Sequence, residues 1–203
     1  MKFDALVERI ETAPKKGLLR LVALVGAPAS GKSTLSEAID ARIPSISVVP
    51  MDGFHLDNPL LKKRGTLNRK GAPETFDAAG FVHLIRRFAA GERPFYPLFD
   101  RALDRSIAGA GEIDEHCETV LVEGNYLLFD HPDWRPLHDL WDLSIQVSVP
   151  QDVLRDRLME RWQNFGFDEA SARAKAEGND LPNAALVAAQ SVAADITVET
   201  ISL

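Results

Sequence analysis

The 203-residue sequence predicts an α/β fold with a mostly parallel sheet. Three observations support this prediction. Strand-like and helix-like segments alternate along the chain, a glycine-rich stretch lies between the first strand and the helix that follows it, and acidic residues come directly after two of the strands. With 45% hydrophobic residues, the chain is long enough to bury a full core, so we expect a single domain spanning 1–203.

Each element has its own local signal. The first helix spans Phe3 to about Thr12 and ends before Pro14, and a helix in DAAGFVHLIRRFAAG shows apolar residues at helical spacing and stops at Gly91. The predicted strands are the apolar runs LLRLVALVG, SISVVPM, TVLVEGNYLLF, DLSIQVSV and ADITV. The other predicted helices are SGKSTLSEAIDAR, the short PDWRPLHDLW, QDVLRDRLMERWQNFG and DEASARAKAEG.

Two regions depart from simple alternation and predict a small added lobe and a lid. The stretch between Gly91 and Thr119 is rich in proline and aromatic residues and predicts a hairpin around AGAG. LKKRGTLNRKG is predicted to be nonhelical. We therefore expect an inserted substrate lobe at about 54–118 and a lid at about 151–182.

Composition excludes several classes of protein. A net charge of -7 argues against nucleic-acid and anionic-membrane binding, and no run approaches the roughly 18 apolar residues of a spanning helix. The N-terminus does not resemble a signal peptide, and the single cysteine, Cys117, excludes an internal disulfide and favours a reducing compartment. We expect a cytoplasmic protein, either a monomer or a homodimer.

The charge is unevenly distributed. From Lys62 to Arg105 the chain carries ten Lys and Arg against five acids, so this segment is +5 and the remainder is -12. Five of these cations lie within nine residues of LKKRGTLNRKG, including Arg69 and Lys70. Solvated surface charge and attraction of a phosphorylated ligand are both compatible with this stretch.

The segment GAPASGKS matches the P-loop pattern Gly-x-x-x-x-Gly-Lys-Ser between a strand and a helix. Its backbone N–H groups can surround phosphate oxygens, and the following helix directs its N-terminus at the same anion. Lys32 would bridge the β and γ phosphates, Ser33 would offer a hydroxyl to Mg²⁺, and Thr34 would extend the helix start. The predicted nucleotide-binding residues are Gly26, Ala29, Ser30, Gly31, Lys32, Ser33 and Thr34. No Asn-Lys-x-Asp element is present, which favours ATP over GTP.

Two acids stand at predicted strand ends, where ligands gather in an open parallel sheet. Asp52 follows SISVVPM, and Glu123 closes TVLVE. An acid there can hold a metal through water or accept the proton of an attacking hydroxyl. Glu123 could serve metal or substrate, whereas the Asp-Gly pair at Asp52 is also an ordinary turn signal. Phe54 and His55 follow Asp52 closely enough to contact a substrate.

Four segments in this order, GAPASGKS, MDGFHLDN, RKGAPETFD and VLVEGNYLL, resemble the P-loop kinases of the uridine kinase, phosphoribulokinase and bacterial pantothenate kinase group. The pattern DGFHLDN with RKGAPETFDAAGF and NDLPNA is most similar to the branch described as fructose-transport-associated, or fructokinase-like, kinases. The resemblance implies the three-layer P-loop NTPase fold.

The resemblance also implies roles for individual residues. Asp52 corresponds to the catalytic base, Glu123 to the acid near Mg²⁺ and substrate, and Tyr96 to an aromatic substrate contact. Arg157 and Arg161, four residues apart on one helix face, correspond to lid arginines that neutralise the transferring phosphoryl group, although a solvated face explains the same spacing. The histidine and threonine of uridine kinases are not evident here.

Together these features predict an ATP- and Mg-dependent kinase that phosphorylates a hydroxyl of a small metabolite, with a sugar such as fructose as the first candidate. The alternatives are a pantothenate or nucleoside kinase and, from a different class, a regulatory NTPase without a small-molecule acceptor.

Overall fold

A five-stranded parallel sheet forms the centre of the molecule, with strand order β2-β5-β1-β6-β7. The computed structural model describes residues 1–199. Its strands are β1 (Arg20–Gly26), β2 (Ile46–Pro50), β3 (Tyr96–Asp100), β4 (Arg105–Gly111), β5 (Thr119–Gly124), β6 (Leu143–Val147) and β7 (Ile196–Val198). Its α-helices are α1 (Phe3–Thr12), α2 (Lys32–Arg42), α3 (Asn58–Arg64), α4 (Ala78–Ala89), α5 (Gln151–Asn164), α6 (Glu169–Lys175) and α7 (Leu181–Gln190).

The sheet is covered on both faces, which makes the architecture three-layered. In β1 the buried side chains alternate, with Leu21 and Ala23 in one core cluster and Val22 and Leu24 in the other. A central strand of a parallel sheet is expected to be apolar on both faces for this reason. The predicted α/β fold with a mostly parallel sheet is confirmed.

Each core has a distinct composition. The first contains the apolar side of α4 and a cluster of aromatic rings, including Phe81, Tyr126 and Trp134. The second contains side chains of α1 and α2, among them Ile10 and Ile39. The sheet is therefore held between two helical layers, and its carboxyl-terminal edge remains open to a cleft.

The antiparallel pair β3-β4 forms a second, two-stranded sheet. A hairpin was predicted, but its turn was placed at the wrong position. AGAG lies inside β4, and the chain reverses at 101–104. Here Asp100 Oδ1 accepts a hydrogen bond of 2.9 Å from the backbone N–H of Leu103, and Asp104 adopts a left-handed φ of 50°. Short side chains that bond locally favour such a turn.

The prediction that LKKRGTLNRKG is nonhelical was wrong, since its first four residues lie in α3. Asp57 caps this helix by accepting a hydrogen bond from the backbone N–H of Asn58, and Gly65 ends it with a φ of 70°. This cap and this stop are sufficient for two turns of helix. Its three cations, Lys62, Lys63 and Arg64, are exposed.

Two smaller features complete the chain. The short predicted helix near residue 135 is a 3₁₀ helix, Arg135–Leu140, and a π-helical turn, Ala176–Asp180, joins α6 to α7. Within residues 1–199, no helix has the length and apolarity needed to cross a membrane. The boundaries of the lobe and lid stay predictions.

Candidate active site

A cleft of about 1630 Å³ opens at the carboxyl ends of β1, β2 and β5. The register pairs Pro50 of β2 with Glu123 of β5, so the residues that follow β2 lie beside those that end β5. Residues of the β3-β4 hairpin, α5 and the 176–180 turn line the other sides. This edge of an open parallel sheet is where ligands are expected to bind.

The phosphate loop has a backbone that depends on its glycines. Gly31 has a φ of 96°, and Ala29 also adopts a positive φ, 61°. A Cβ at Gly26 would lie 2.6 Å from Ser30 Oγ and 3.2 Å from Lys32 Cγ, so no side chain fits there. Ser30 Oγ is buried with no hydrogen-bond partner within the described chain. A buried hydroxyl of this kind is available to a ligand.

Lys32 lies at the centre of the cleft. Its Nζ donates to Ala27 O at 3.0 Å and to Asn125 Oδ1 at 2.9 Å. Burial lowers the pKa of Lys32 to about 8, although the charges of Glu123 and Asp52 act in the opposite direction. An anionic phosphate beside this ammonium would favour its charged form.

Glu123 is bound by two serines of α2. Ser33 Oγ donates to Glu123 Oε1 at 3.4 Å, and Ser36 Oγ donates to Oε2 at 3.3 Å. Burial raises the pKa of Glu123, while the charge of Lys32 and the two serine hydrogen bonds oppose the rise. Hydroxyl and carboxylate oxygens suit Mg²⁺, which keeps further positions for water and phosphate. Within residues 1–199, no cluster of three or more His, Cys, Asp or Glu able to hold a metal is present.

Asp52 stands in the one-turn 3₁₀ helix Met51–Phe54 that follows β2. Its Oδ2 accepts a hydrogen bond from Arg101 Nη2 at 3.1 Å. The next residue, Gly53, is buried against the hairpin: a Cβ there would lie 2.0 Å from Pro97 O. The Asp-Gly pair is therefore a packed turn that directs the aspartate into the cleft and against the hairpin.

His55 contributes an aromatic wall beside Asp52. Its ring lies 4.0 Å from that of Phe76 and 4.8 Å from that of Phe99. Nδ1 is 2.8 Å from the Asp52 carbonyl oxygen, which can only accept, so Nδ1 carries the proton. Burial lowers the pKa of His55 despite the opposing charge of Asp52.

Lys70 is held in a polar network with Asn58 and Asp104. Its Nζ donates to Asn58 Oδ1 at 2.7 Å and to the backbone and side-chain oxygens of Asp104 at 2.8 Å each. Asn58 Nδ2 closes the network by donating to Asp104 Oδ2 at 2.7 Å. Burial opposes ionisation of Asp104, but the hydrogen bonds from Lys70 and Asn58 outweigh it and lower the pKa.

The two arginines of α5 both line the cleft. Arg157 Nη1 donates to Ser30 O in the phosphate loop at 3.3 Å. Burial lowers the pKa of Arg161, as does the charge of Arg101, while Asp180 and Asp52 oppose the shift. Asp180 accepts from Trp162 Nε1 at 2.7 Å, which fixes the far wall. The Trp162 ring itself is half-buried in this wall.

Most of the predicted site residues line the cleft, and four do not; one of these, Gly26, ends β1 at the start of the phosphate loop. Tyr96 is 5% exposed, and its hydroxyl donates weakly to Val48 O and Glu112 O, which places it in the core rather than against a substrate. Arg69 is exposed and pairs with Glu74 at 2.7 Å. Phe54 packs against Phe81. The predicted residues that line the cleft are Ala29, Ser30, Gly31, Lys32, Ser33, Thr34, Asp52, His55, Lys70, Glu123, Arg157 and Arg161.

Several cleft residues were not identified from the sequence. Arg101 and Asp104 lie in the hairpin turn, and their roles depend on the turn being at 101–104 rather than at AGAG. Asn125 follows Glu123 by two residues, and its position after an acidic strand end was the available signal. Ser36 is buried behind the cleft, where it bonds Glu123, and the sequence gave no signal for it.

The fold and this cleft define a P-loop nucleotide-binding protein of the kinase type. No protein-family model matches the chain. YggC of Escherichia coli is 35% identical over 185 residues, which cover 88% of this chain and 77% of YggC. A Schizosaccharomyces pombe protein named "Putative uridine kinase" is 32% identical over 219 residues, 99% of this chain and 92% of that protein.

A crystal structure described as a "putative fructose transport system kinase" from Silicibacter sp. TM1040 superposes with a TM-score of 0.93 at 49% identity, covering 98% of this chain and 99% of that one. The phosphoribulokinase of Rhodobacter spheroides, at 12% identity and a TM-score of 0.66 over 91% of this chain and 71% of that one, shares the fold. The chain belongs to the P-loop kinase group of uridine kinases, pantothenate kinases and phosphoribulokinases. It is therefore a kinase, a phosphotransferase with an alcohol group as acceptor.

Proposed function

We propose that this protein transfers the γ-phosphoryl group of ATP to a hydroxyl of a small metabolite, with Mg²⁺ as the metal and a sugar such as fructose as the first candidate acceptor. The observation that carries the proposal is the convergence of Asp52, Lys32 and Glu123 in one cleft that extends well beyond the phosphate loop. A regulatory NTPase without an acceptor has no need of that additional volume.

The nucleotide half of the proposal rests on the phosphate loop. Backbone N–H groups from Gly26 to Ser33 and the N-terminus of α2 would hold the β and γ phosphates. Lys32 would exchange its bond to Ala27 O for a phosphate oxygen. Ser33 Oγ and Glu123 would hold Mg²⁺, which when bound neutralises charge on the phosphates.

The chemical half rests on Asp52. Its carboxylate would accept the proton of the acceptor hydroxyl as that oxygen attacks the γ phosphorus, and the bond to the ADP oxygen would break. Arg101 holds the carboxylate at 3.1 Å through Oδ2, which leaves Oδ1 for the hydroxyl. Arg157 and Arg161 would stabilise the charge on the transferring group.

The test is ADP release from MgATP across sugars, polyols, pantothenate and nucleosides. Asp52→Asn keeps the size of the side chain and removes the base, so we expect kcat to fall by about 100-fold or more with ATP affinity retained. The matched control is Asp40→Asn, an exposed carboxylate near the opposite end of α2. The proposal is wrong if no acceptor stimulates ADP release and Asp52→Asn leaves the basal rate unchanged.

Residence in the cytoplasm and a monomeric or homodimeric state stay predictions.

A further inference from the structure

One wall of the cleft beyond the phosphate loop has no net charge. We call this wall the acceptor end and define it as Asp52 together with His55, Asn58, Lys70, Phe99, Arg101 and Asp104. It contains two carboxylates and two cations, and each cation has a carboxylate partner. Arg101 pairs with Asp52 at 3.1 Å, and Lys70 pairs with Asp104 at 2.8 Å.

Lys70 has no hydrogen-bond donor left for a ligand. An ammonium group has three donors. The three contacts of Lys70 Nζ, to Asn58 Oδ1 and to two oxygens of Asp104, use all of them. The side chain is 14% exposed, and its charge also lies 5.0 Å from the centre of the Phe99 ring. A phosphate or carboxylate on the acceptor would have to break this network to reach Lys70.

Arg101 is a poor anion site for a different reason. Its guanidinium has further donors, but it is bonded to Asp52, the carboxylate we assign as the base. An acceptor anion on Arg101 would lie close to that carboxylate and repel it. The same anion would displace the contact that holds the base in position.

Two cations without a carboxylate partner lie at the phosphate loop. Lys32 belongs to the loop, and Arg157 donates to Ser30 O of the same loop. Arg161 lies between the two ends, because the charges of Arg101, Asp180 and Asp52 all act on its pKa. Its positive charge is opposed there by the two carboxylates, whereas Lys32 and Arg157 are left for the triphosphate of ATP.

The walls of the acceptor end suit an uncharged, hydroxyl-rich molecule. Phe99 and His55 both line the acceptor end, with their ring centres 4.8 Å apart, and aromatic carbon suits the C–H groups of a sugar. His55 directs Nδ1–H to the Asp52 carbonyl, so its Nε2 presents a lone pair to a hydroxyl donor. Burial lowers the pKa of His55, which keeps the ring neutral at pH 7.

We propose that the acceptor of this kinase is a sugar or polyol without an ionised group, and that phosphorylated and carboxylated acceptors are excluded by the paired charges at the acceptor end. The inference rests on the proposed function and narrows it. Transfer of an anion from water into a site without a free cation loses hydration that nothing in the site replaces.

The test compares matched pairs that share a reactive hydroxyl and differ in one ionised group. The pairs are fructose and fructose 6-phosphate, glycerol and glycerate, and pantothenol and pantothenate. We expect at least a tenfold higher kcat/KM of ADP release for the neutral member of any pair that is phosphorylated. An equal or higher kcat/KM for an anionic member overturns the inference but leaves the kinase function intact. If no neutral member is phosphorylated, the inference is wrong, and if no compound of either kind stimulates ADP release, the proposed function fails with it.

A variant tests the cause of the selectivity. Asp104→Asn keeps the size of the side chain and removes the charge that neutralises Lys70, so the ratio of kcat/KM between anionic and neutral members should rise by about tenfold, the size of one charge pair near a protein surface. The control is Asp100→Asn, a carboxylate of the same hairpin that does not line the cleft, and its ratio should equal that of the wild type. Melting temperatures confirm that both variants fold. An unchanged ratio in Asp104→Asn refutes charge pairing as the basis of selection.

Discussion

Gly53 lies where the Met51–Phe54 turn, which carries Asp52, packs against the β3-β4 hairpin. Its replacement by alanine should force this turn and the hairpin apart. A Cβ at this position would lie 2.0 Å from Pro97 O and 2.6 Å from Pro97 C, both backbone atoms. Because Cβ contacts shorter than 3.0 Å are essentially not seen, the hairpin must move by about 1 Å relative to Asp52. Arg101 belongs to that hairpin, so its hydrogen bond to Asp52 would change at the same time.

The magnitude follows from the forced movement. Overpacking of this kind reduces the free energy of unfolding by about 1–3 kcal/mol. For a chain of this length, that corresponds to a fall in melting temperature of about 2–12 °C. Displacement of a catalytic group by about 1 Å can reduce kcat/KM by about 100-fold. ATP affinity should change little, since Gly53 is not one of the residues that line the cleft.

The assay combines a thermal melt with steady-state ADP release and a nucleotide titration. The control for stability is Gly178→Ala, because a Cβ at Gly178 meets no atom within 4 Å and the helical backbone there should gain about 0.5–1 kcal/mol from alanine. If Gly53→Ala has the same melting temperature and the same kcat/KM as the wild type, the packing of this turn does not position Asp52.

Three further predictions concern single side chains. Between pH 8 and pH 10.5 the unfolded chain holds a proton on Lys32 that the folded, nucleotide-free protein has lost. In urea denaturation, the free energy of unfolding of the wild type should therefore rise by about 3 kcal/mol relative to that of Lys32→Met as the pH increases through this range. Parallel pH profiles of the two proteins would contradict this prediction. Arg101→Gln should lower kcat/KM for the acceptor and leave the Kd for ATP unchanged, and equal losses in both would show that the arginine supports the whole cleft. Asn179 Nδ2 donates to Lys70 O at 2.9 Å, so Asn179→Ala should lower the free energy of unfolding by about 1 kcal/mol. It should also raise the KM for the acceptor more than it lowers kcat. An unaltered KM would indicate that this hydrogen bond is only structural.

The parts of the site that were predictable are those encoded within a few consecutive residues. The phosphate loop needs its glycines and Lys32 at fixed spacing because one backbone turn makes the whole cradle. Asp52 and Glu123 were identifiable for a related reason: each follows an apolar strand, and the carboxyl ends of parallel strands share one edge.

The predictions that were wrong concern residues whose position depends on contacts between segments that are distant in the sequence. The sequence analysis made Tyr96 a substrate contact, but the hairpin turns its ring into the core beside Phe88. The five cations of LKKRGTLNRKG were considered together as a possible site for a phosphorylated ligand. In the structure, three of them lie on α3 and are exposed, and only Lys70 lines the cleft. Local patterns do not report which face of a hairpin or helix meets the rest of the molecule.

The amino-acid sequence by itself determined the α/β class, the order of the main elements and the nucleotide end of the cleft, because periodicity and the phosphate loop are local properties of the chain. Only the tertiary structure decided which charges meet at the acceptor end. Arg101 and Asp52 are 49 residues apart, and Asp104 and Lys70 are 34 apart. Their pairing depends on where the β3-β4 hairpin folds over the end of β2, and that packing removes the net charge from the surface an acceptor would contact.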